Sequence, residues 1–324
     1  MYKDTWRFFM EKNTKRFLFF VGASVAAIYA YNKFVEETAT QKKLLSTNNG
    51  HFFDWDGESI YYTKSGSGSP LLLIHDADAT ASSEEWSKII HRLKRKHTIY
   101  TLDLLGCGRS DKPAIEYTNY LYVKLITAFV KNIIREKVTV ISSNISSSFV
   151  IMANHLDNTL FEKLIFINPV SLNQLNVVPD ELSKIKKRII ELPFIGTFVY
   201  NLMTSNLKID ENFRTKYHGK PQLISSHMED IYYESAHTGG SNGRYLYSSL
   251  IGNYVNNTAT HAVKKLNTPT LIIGCKQLKN YEHALDDYHK VNPNIEIIRI
   301  KNGSLYPHME FPERLTSIIE DYLA

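Results

Sequence analysis

Cysteine is scarce in this chain: Cys107 and Cys275 are the only two among 324 residues. Two thiols build neither a disulfide framework nor a zinc cage by themselves, so two separate buried or half-buried thiols are expected. The sequence also lacks any run of Lys and Arg interleaved with aromatics. Its formal charge of +5 is modest and lies partly in the first sixteen residues, so no nucleic-acid partner is expected. No internal repeat or low-complexity tract is present, and no metal or organic cofactor site is visible. What remains is the composition of an ordinary globular protein, 43% hydrophobic and 22% charged. Its length suits one large domain plus a short appendage.

The appendage is at the N-terminus. Residues 17–32 read FLFFVGASVAAIYAYN without a charge, preceded by Lys15 and Arg16 and closed by Lys33. A run of about 16 residues is slightly short against the ~20 that span a bilayer as a helix. Arg16 and Lys33 can snorkel, however, and Tyr29 and Tyr31 suit a headgroup interface. Residues 17–35 are therefore predicted to be a transmembrane helix, with residues 1–16 as a cytoplasmic tail. Lys3, Arg7, Lys12, Lys15 and Arg16 against Asp4 and Glu11 favour a single-pass protein with its domain on the extracytoplasmic side. Lys33, Lys42 and Lys43 reduce that asymmetry. Two rival readings are a signal peptide cleaved near Ser24-Val25-Ala26 and a buried core helix. The apolar stretch runs past the first, and the second would leave a basic tail dangling.

Residues 36–50 are polar and read as a linker. From His51 onward, short apolar runs alternate with helical periodicity. A hairpin is predicted around Asp56-Gly57, and strands at 71–74, 98–104, 137–142, 163–169, 269–274 and 295–300. Helices are predicted over 84–95, 118–135, from the end of the third of these strands to about 154, and over 312–323. Strand alternating with helix argues for an α/β domain, 51–324, with a doubly wound, mostly parallel sheet. The alternation stops between 171 and 262, where amphipathic stretches broken at Pro193 and Gly196 read as a helical cap.

Several landmarks then resemble the α/β-hydrolase superfamily across nearly all of the domain. YYTKSGSGSPLLLIHD looks like the strand pair that leads to the family's oxyanion loop. DLLGCGRSDKP (103–113) is similar to its Asp-Leu-x-Gly-x-Gly-x-Ser turn. NTPTLIIG and PHMEFPERL match the strand before the acid loop and the C-terminal segment. The resemblance implies a serine on a sharp strand-to-helix turn, a histidine that takes its proton, an acid that orients the histidine, and backbone N–H groups for the oxyanion.

At those positions the residues differ. The Gly-x-Ser-x-Gly frame is occupied by Ser142-Ser143-Asn144-Ile145-Ser146, so the nucleophile position holds Asn144. The acid position holds Leu278, or Gln277 with a shift of one; Glu282 lies too far along. The base position holds Leu305, and His308 matches the family's second, non-catalytic histidine. The oxyanion loop is His75-Asp76-Ala77-Asp78, with Asp76 where glycine is usual, and Ile145 is the residue after the elbow. An amide is no nucleophile, leucine relays no proton, and a carboxylate beside a developing oxyanion opposes it.

The expectation is a non-catalytic protein of this fold, held at the membrane and binding an unidentified small molecule or protein partner. An active hydrolase of ester-like small molecules is the alternative. Its relocated nucleophile would be Ser143, Ser146 or Ser147, served by His75, His155 or His308. Ser142 and Ser148 lie nearby, but Ser142 should face packing, and hydroxyls in a first helical turn more often cap N–H groups than attack carbonyls. Chemistry without a serine would have to use Asp76, Asp78 or His75.

Overall fold

The protein is described from a computed structural model over residues 2–216, 226–275, 281–301 and 303–324. Eight strands form one sheet: β1 (His51–Trp55), β2 (Glu58–Gly66), β3 (Ser69–Ile74), β4 (His97–Leu102), β5 (Val138–Ser143), β6 (Phe161–Ile167), β7 (Thr270–Cys275) and β8 (Glu296–Ile300). Their order is β1-β2-β4-β3-β5-β6-β7-β8. The two pairings of β2 are antiparallel, and every pairing from β4 to β8 is parallel. Parallel strands are covered on both faces, which explains continuous runs such as LLLI.

Successive side chains point to opposite faces of a strand. Leu71 and Leu73 accordingly pack on one side, with Ile141, Ile165 and Leu271, beneath Trp86, Ile89 and Leu93 around α2 (Ser87–Leu93). Leu72 and Ile74 pack on the other side, with Val140, Leu164 and Phe166. That side is covered by α3 (Asn119–Phe129) and α4 (Ser146–Leu156), whose Tyr122 and Phe149 stack at 4.6 Å. Thr118 caps α3 by accepting from the Leu121 N–H. The helix predicted over 118–135 widens into a π-turn over Val130–Ile134 and stops at Arg135, which is left-handed.

After β6 the described residues form the cap helices α5 (Leu172–Leu175), α6 (Glu181–Glu191), α7 (Ile195–Met203), α8 (Asn206–Lys216), α9 (Ser226–His237) and α10 (Arg244–Ile251). The next, α11 (Thr260–Lys264), lies against α4 and against α12 (Tyr281–Val291) and so belongs to the sheet layer. The chain closes with α13 (Pro307–Glu310) and α14 (Pro312–Leu323). Pro at the first turn of α14 fits a position whose N–H has no helical acceptor.

The N-terminal helix, α1 (Tyr2–Thr38), extends beyond the predicted 17–35 in both directions. At 37 residues it is about 55 Å long. Its stretch Arg16–Thr38 is long and apolar enough to cross a membrane, and only 6% of the apolar window is covered by the rest of the protein. The linker read at 36–50 is a docked strap instead of a free tether. The Leu44 and Leu45 N–H groups both donate to the Glu234 carboxylate at 3.0 Å, Leu45 is buried, and Lys42 pairs with Asp230. Two adjacent N–H groups bracketing one buried carboxylate give a polar sequence a fixed place on α9.

The DLLGCGRS turn is held by one buried carboxylate. Asp103 accepts from the Ser83 N–H (2.7 Å), the Arg109 N–H (2.9 Å) and Arg109 Nε (2.8 Å). Gly108 is left-handed at φ +50°, and a Cβ there would sit 2.3 Å from the Asp103 carboxylate, so only glycine fits. Burial alone would raise the Asp103 carboxyl, but the Arg109 guanidinium outweighs it and holds the pKa at about 2. Because the folded value lies below the ordinary 3.8, the stability gained is present above pH 4 and is lost as pH falls through about 2. Asp103→Asn should therefore cost several kcal/mol near neutral pH, on the order of the ~3–5 seen when a buried pair is broken. In denaturant titrations the gap to the unmodified protein should narrow between pH 5 and pH 2.

Candidate functional site

The site lies where β3, β5 and β6 end and α4 begins. Ser143 ends β5, α4 starts at Ser146, and the turn between them passes through Asn144 at φ +47°. This is a sharp strand-to-helix turn, and asparagine suits it because it is among the few L-residues that enter the left-handed region readily.

The oxyanion loop folds against that elbow. His75 is fully buried, with Nδ1 2.7 Å from the Asp76 carbonyl and Nε2 accepting from the Leu104 N–H at 3.0 Å. Both ring nitrogens are thus occupied, and burial lowers the imidazole pKa, so the ring is neutral and serves to join the loops after β3 and β4. Asp76, also buried, turns back over the elbow: its Oδ2 accepts from Asn144 Nδ2 at 2.8 Å and from the Tyr306 hydroxyl at 3.3 Å. Burial pushes the Tyr306 phenol well above its usual range, which keeps it a donor. Ala77 is buried behind Asp76, and Ile145 packs half-buried against the core at the head of α4. Asp78 accepts from the Thr80 N–H and hydroxyl, a loop-closing turn.

The three relocated-nucleophile candidates are fully buried. Ser143 Oγ donates to Glu85 Oε1 at 2.6 Å, Ser146 Oγ donates to the His75 carbonyl at 2.6 Å, and Ser147 Oγ lies 3.2 Å from Ser142 Oγ. Their hydroxyls engage side chains and carbonyls instead of capping N–H groups, and none is bonded to an imidazole. His155 is exposed near the end of α4, edge-on to His261. The structure thus brings Asn144, Asp76 and Ser143 together and leaves His155 apart. Leu278 and Gln277 lie outside the described residues, as does the Glu282 side chain.

Leu305 is 6% exposed and packs in an apolar cluster with Leu45 of the strap, Ile209 and Phe213 of α8, and Ile231 of α9. Leu305 thus joins the strap to the cap helices. Beside it, the space bounded by Asp78, Phe213, Tyr232 and Tyr306 offers about 20 Å³ of water-accessible room, little more than one water needs.

Four further residues hold this arrangement: His308, which the sequence reading matched to a non-catalytic histidine, and Glu85, Asn168 and Glu310, to which it gave no role. Glu85, in a stretch that reads as an ordinary surface helix, is fully buried under the elbow and also accepts from the Asp76 N–H at 3.3 Å. His308 stacks on Trp86 at 4.3 Å, with Nε2 3.5 Å from Glu85. Burial raises the Glu85 carboxyl well above its usual range and lowers His308 to about 3, so burial opposes the charged form of each. Asn168, left-handed at φ +44°, donates to the Ser304 and Leu305 carbonyls and accepts from the Cys275 N–H. Glu310 accepts from the Ser304 N–H and hydroxyl. Among the described residues no group of three or more His, Cys, Asp or Glu is placed to hold a metal.

Two outcomes follow from this geometry. Asn144→Gly loses the bond to Asp76 but keeps the left-handed turn, whereas Asn144→Ala loses both. Thermal or denaturant unfolding should place the alanine variant below the glycine variant by about 1 kcal/mol. For Glu85 the folded pKa lies above the ordinary 4.5, so its contribution is complete below that pH and is lost as pH rises through the folded value. Glu85→Gln mimics the protonated form, and its stability relative to the unmodified protein should rise steadily above pH 4.5.

No family model matches the chain. Over 123 residues it is 28% identical to a 2-hydroxy-6-oxo-6-(2'-aminophenyl)hexa-2,4-dienoic acid hydrolase of Metapseudomonas resinovorans, covering 37% of this chain and 42% of that protein. The match therefore spans less than half of the relative's length. Among solved structures, a serine hydrolase involved in carbazole degradation superposes with a TM-score of 0.69 at 19% identity, over 85% of this chain and 98% of its own. A membrane phospholipase A superposes at 0.67 and 17% identity, over 95% of this chain and 98% of its own. The chain is an α/β-hydrolase-fold protein, and its likeness to that superfamily extends from the motifs to the whole sheet.

Proposed function

We propose that this is a membrane-anchored α/β-hydrolase-fold protein that performs no hydrolysis and acts by binding a ligand or a protein partner through its cap and strand-end surface. The observation that carries the reading is the Asn144–Asp76 hydrogen bond. The position that should attack and the loop that should stabilise an oxyanion are bonded to each other at 2.8 Å. A nucleophile, a base and a preorganised oxyanion site are each required for acyl transfer, and removing the base alone leaves little of the rate. Here the base position is a leucine packed into the strap and cap.

Relocation of the nucleophile gains no support from the hydrogen bonds. A serine is activated by an adjacent base, and the partners of Ser143, Ser146 and Ser147 are a carboxyl group whose charged form burial opposes, a carbonyl and another hydroxyl. Anchoring is supported by the uncovered apolar stretch of α1 and by the superposition on a membrane phospholipase A, which includes N-terminal residues outside the sheet domain. The basic N-terminal tail favours a cytoplasmic start and an extracytoplasmic domain.

The test is a fluorophosphonate probe applied to the full chain in detergent, read by intact mass and peptide mapping. We expect no adduct on the unmodified protein, and none on Asn144→Ser, because that variant regains a hydroxyl but no base. A stoichiometric adduct on any serine of the unmodified protein would overturn the non-catalytic reading and name the nucleophile.

A further inference from the structure

The cap carries an apolar surface that no described residue covers. In α6, Leu182, Ile185 and Ile189 are 57%, 52% and 44% exposed. At about 100° per residue they fall within ~60° of arc. The helix is attached to the domain by a different face, where Ser183 and Ile190 are buried. The turn into α7 continues the patch with Leu192, Phe194 and Ile195, each about half exposed. Lys186 flanks the α6 stripe on one side and Arg188 on the other, both exposed. An apolar stripe bordered by basic residues, on a helix of low overall hydrophobicity, is the pattern of a helix lying in a lipid headgroup region.

Where this patch sits is set by α1. Asn32 Nδ2 donates to the Phe194 carbonyl at 3.1 Å, and Asn201 Nδ2 donates to Asn32 Oδ1 at 3.1 Å. The Phe194 ring lies 6.4 Å from that of Tyr29, and Phe198 meets Tyr31 edge-on at 5.5 Å. Tyr29, Tyr31 and Asn32 are the last residues of the uncharged run before Lys33. The α6–α7 turn is therefore clamped to α1 at the level where its apolar segment ends. Phe194 also holds a backbone that L-residues rarely adopt, φ +60° and ψ −64°, while more than half exposed. Strain of this kind, about 1–3 kcal/mol, persists where the surrounding structure imposes it. Here the clamp to Asn32 imposes it, with the ring left facing outward.

We infer that the α6–α7 face is a membrane-docking surface, with the α6 stripe and the Leu192–Ile195 turn seated among the headgroups of an anionic bilayer leaflet beside α1. The inference rests on α1 as the membrane anchor and adds the orientation of the domain. With its cap face in the leaflet, the domain stands at one fixed tilt, and a ligand reaching the cap from this side comes from the lipid phase. A groove of about 310 Å³ lies between α1 and α7 at the same level, bordered by Arg244 and by Lys33, which pairs with Glu36 at 3.0 Å.

The test uses the full chain in vesicles of phosphatidylcholine with phosphatidylglycerol. An environment-sensitive fluorophore is attached in turn to Ile185→Cys, Val25→Cys and Phe52→Cys. The native thiols are both buried, so labelling is selective. Lipids carrying a shallow nitroxide are the quencher. Label at 185 should be blue-shifted and quenched several-fold more than label at 52, an exposed edge-strand site, and the double variant Lys186→Glu, Arg188→Glu should weaken that quenching. If 25 is quenched while 185 behaves like 52, docking is overturned and the anchor stands. A blue shift at 185 without lipid quenching also overturns docking, in favour of a protein contact such as a second copy. If neither 25 nor 185 is quenched, the anchor itself is wrong and the inference falls with it.

Discussion

Asp103 is a carboxylate with no exposed surface, and the loops around the site are built on it. It accepts from the backbone of Ser83 on one side and from both the backbone and side chain of Arg109 on the other. A buried charge left without partners would cost several kcal/mol, so the loops must return to this point for the domain to be stable. Ser110, in the same turn, donates to the Asp103 carbonyl and accepts from the Tyr61 N–H. His75 bonds the loop after β3 to Leu104. The elbow and the loop after β3 are therefore held in shape by bonds made below them.

The polar residues at the elbow bond to one another. Asn144 tolerates the left-handed elbow and gives its amide to Asp76, while Tyr306 gives the same carboxylate a second donor. Beneath them Glu85 and His308 are fully buried, which opposes the charged form of each. A working triad needs a base that changes charge during turnover. This network instead consists of groups whose surroundings oppose a change of charge, which suits a rigid floor better than a proton relay.

The fold was legible because its signals are local and repeated. Runs such as LLLI and TLIIG read as doubly covered strands, and the glycines of DLLGCGRS mark a turn that only glycine fits beside Asp103. What was not legible depends on contacts distant in sequence. Glu85 lies 58 residues from Ser143, and Tyr306 lies 230 from Asp76, so no local pattern separates either from an ordinary helix glutamate or a core tyrosine. The strap was misread for a related reason. Its side chains are polar, but it is held by main-chain N–H groups to Glu234, and main-chain bonding leaves no mark in composition.

Strap and cap together constrain how the domain meets α1. The helix ends at Thr38, and the strap from Ala39 to Leu45 is anchored on α9 by Glu234 and by burial of Ala39 and Leu45. A few residues earlier, Tyr31 and Asn32 bond α7. The domain is thus gripped at two cap helices within the last two turns of α1 and the strap that follows, a spacing too short for free swivelling. Leu305 sits in the same apolar cluster as Leu45 and the α8 and α9 side chains, so the strap, the cap helices and the segment after β8 share one dry contact. A polar side chain at 305 would be desolvated there, whereas leucine makes this closed arrangement stable.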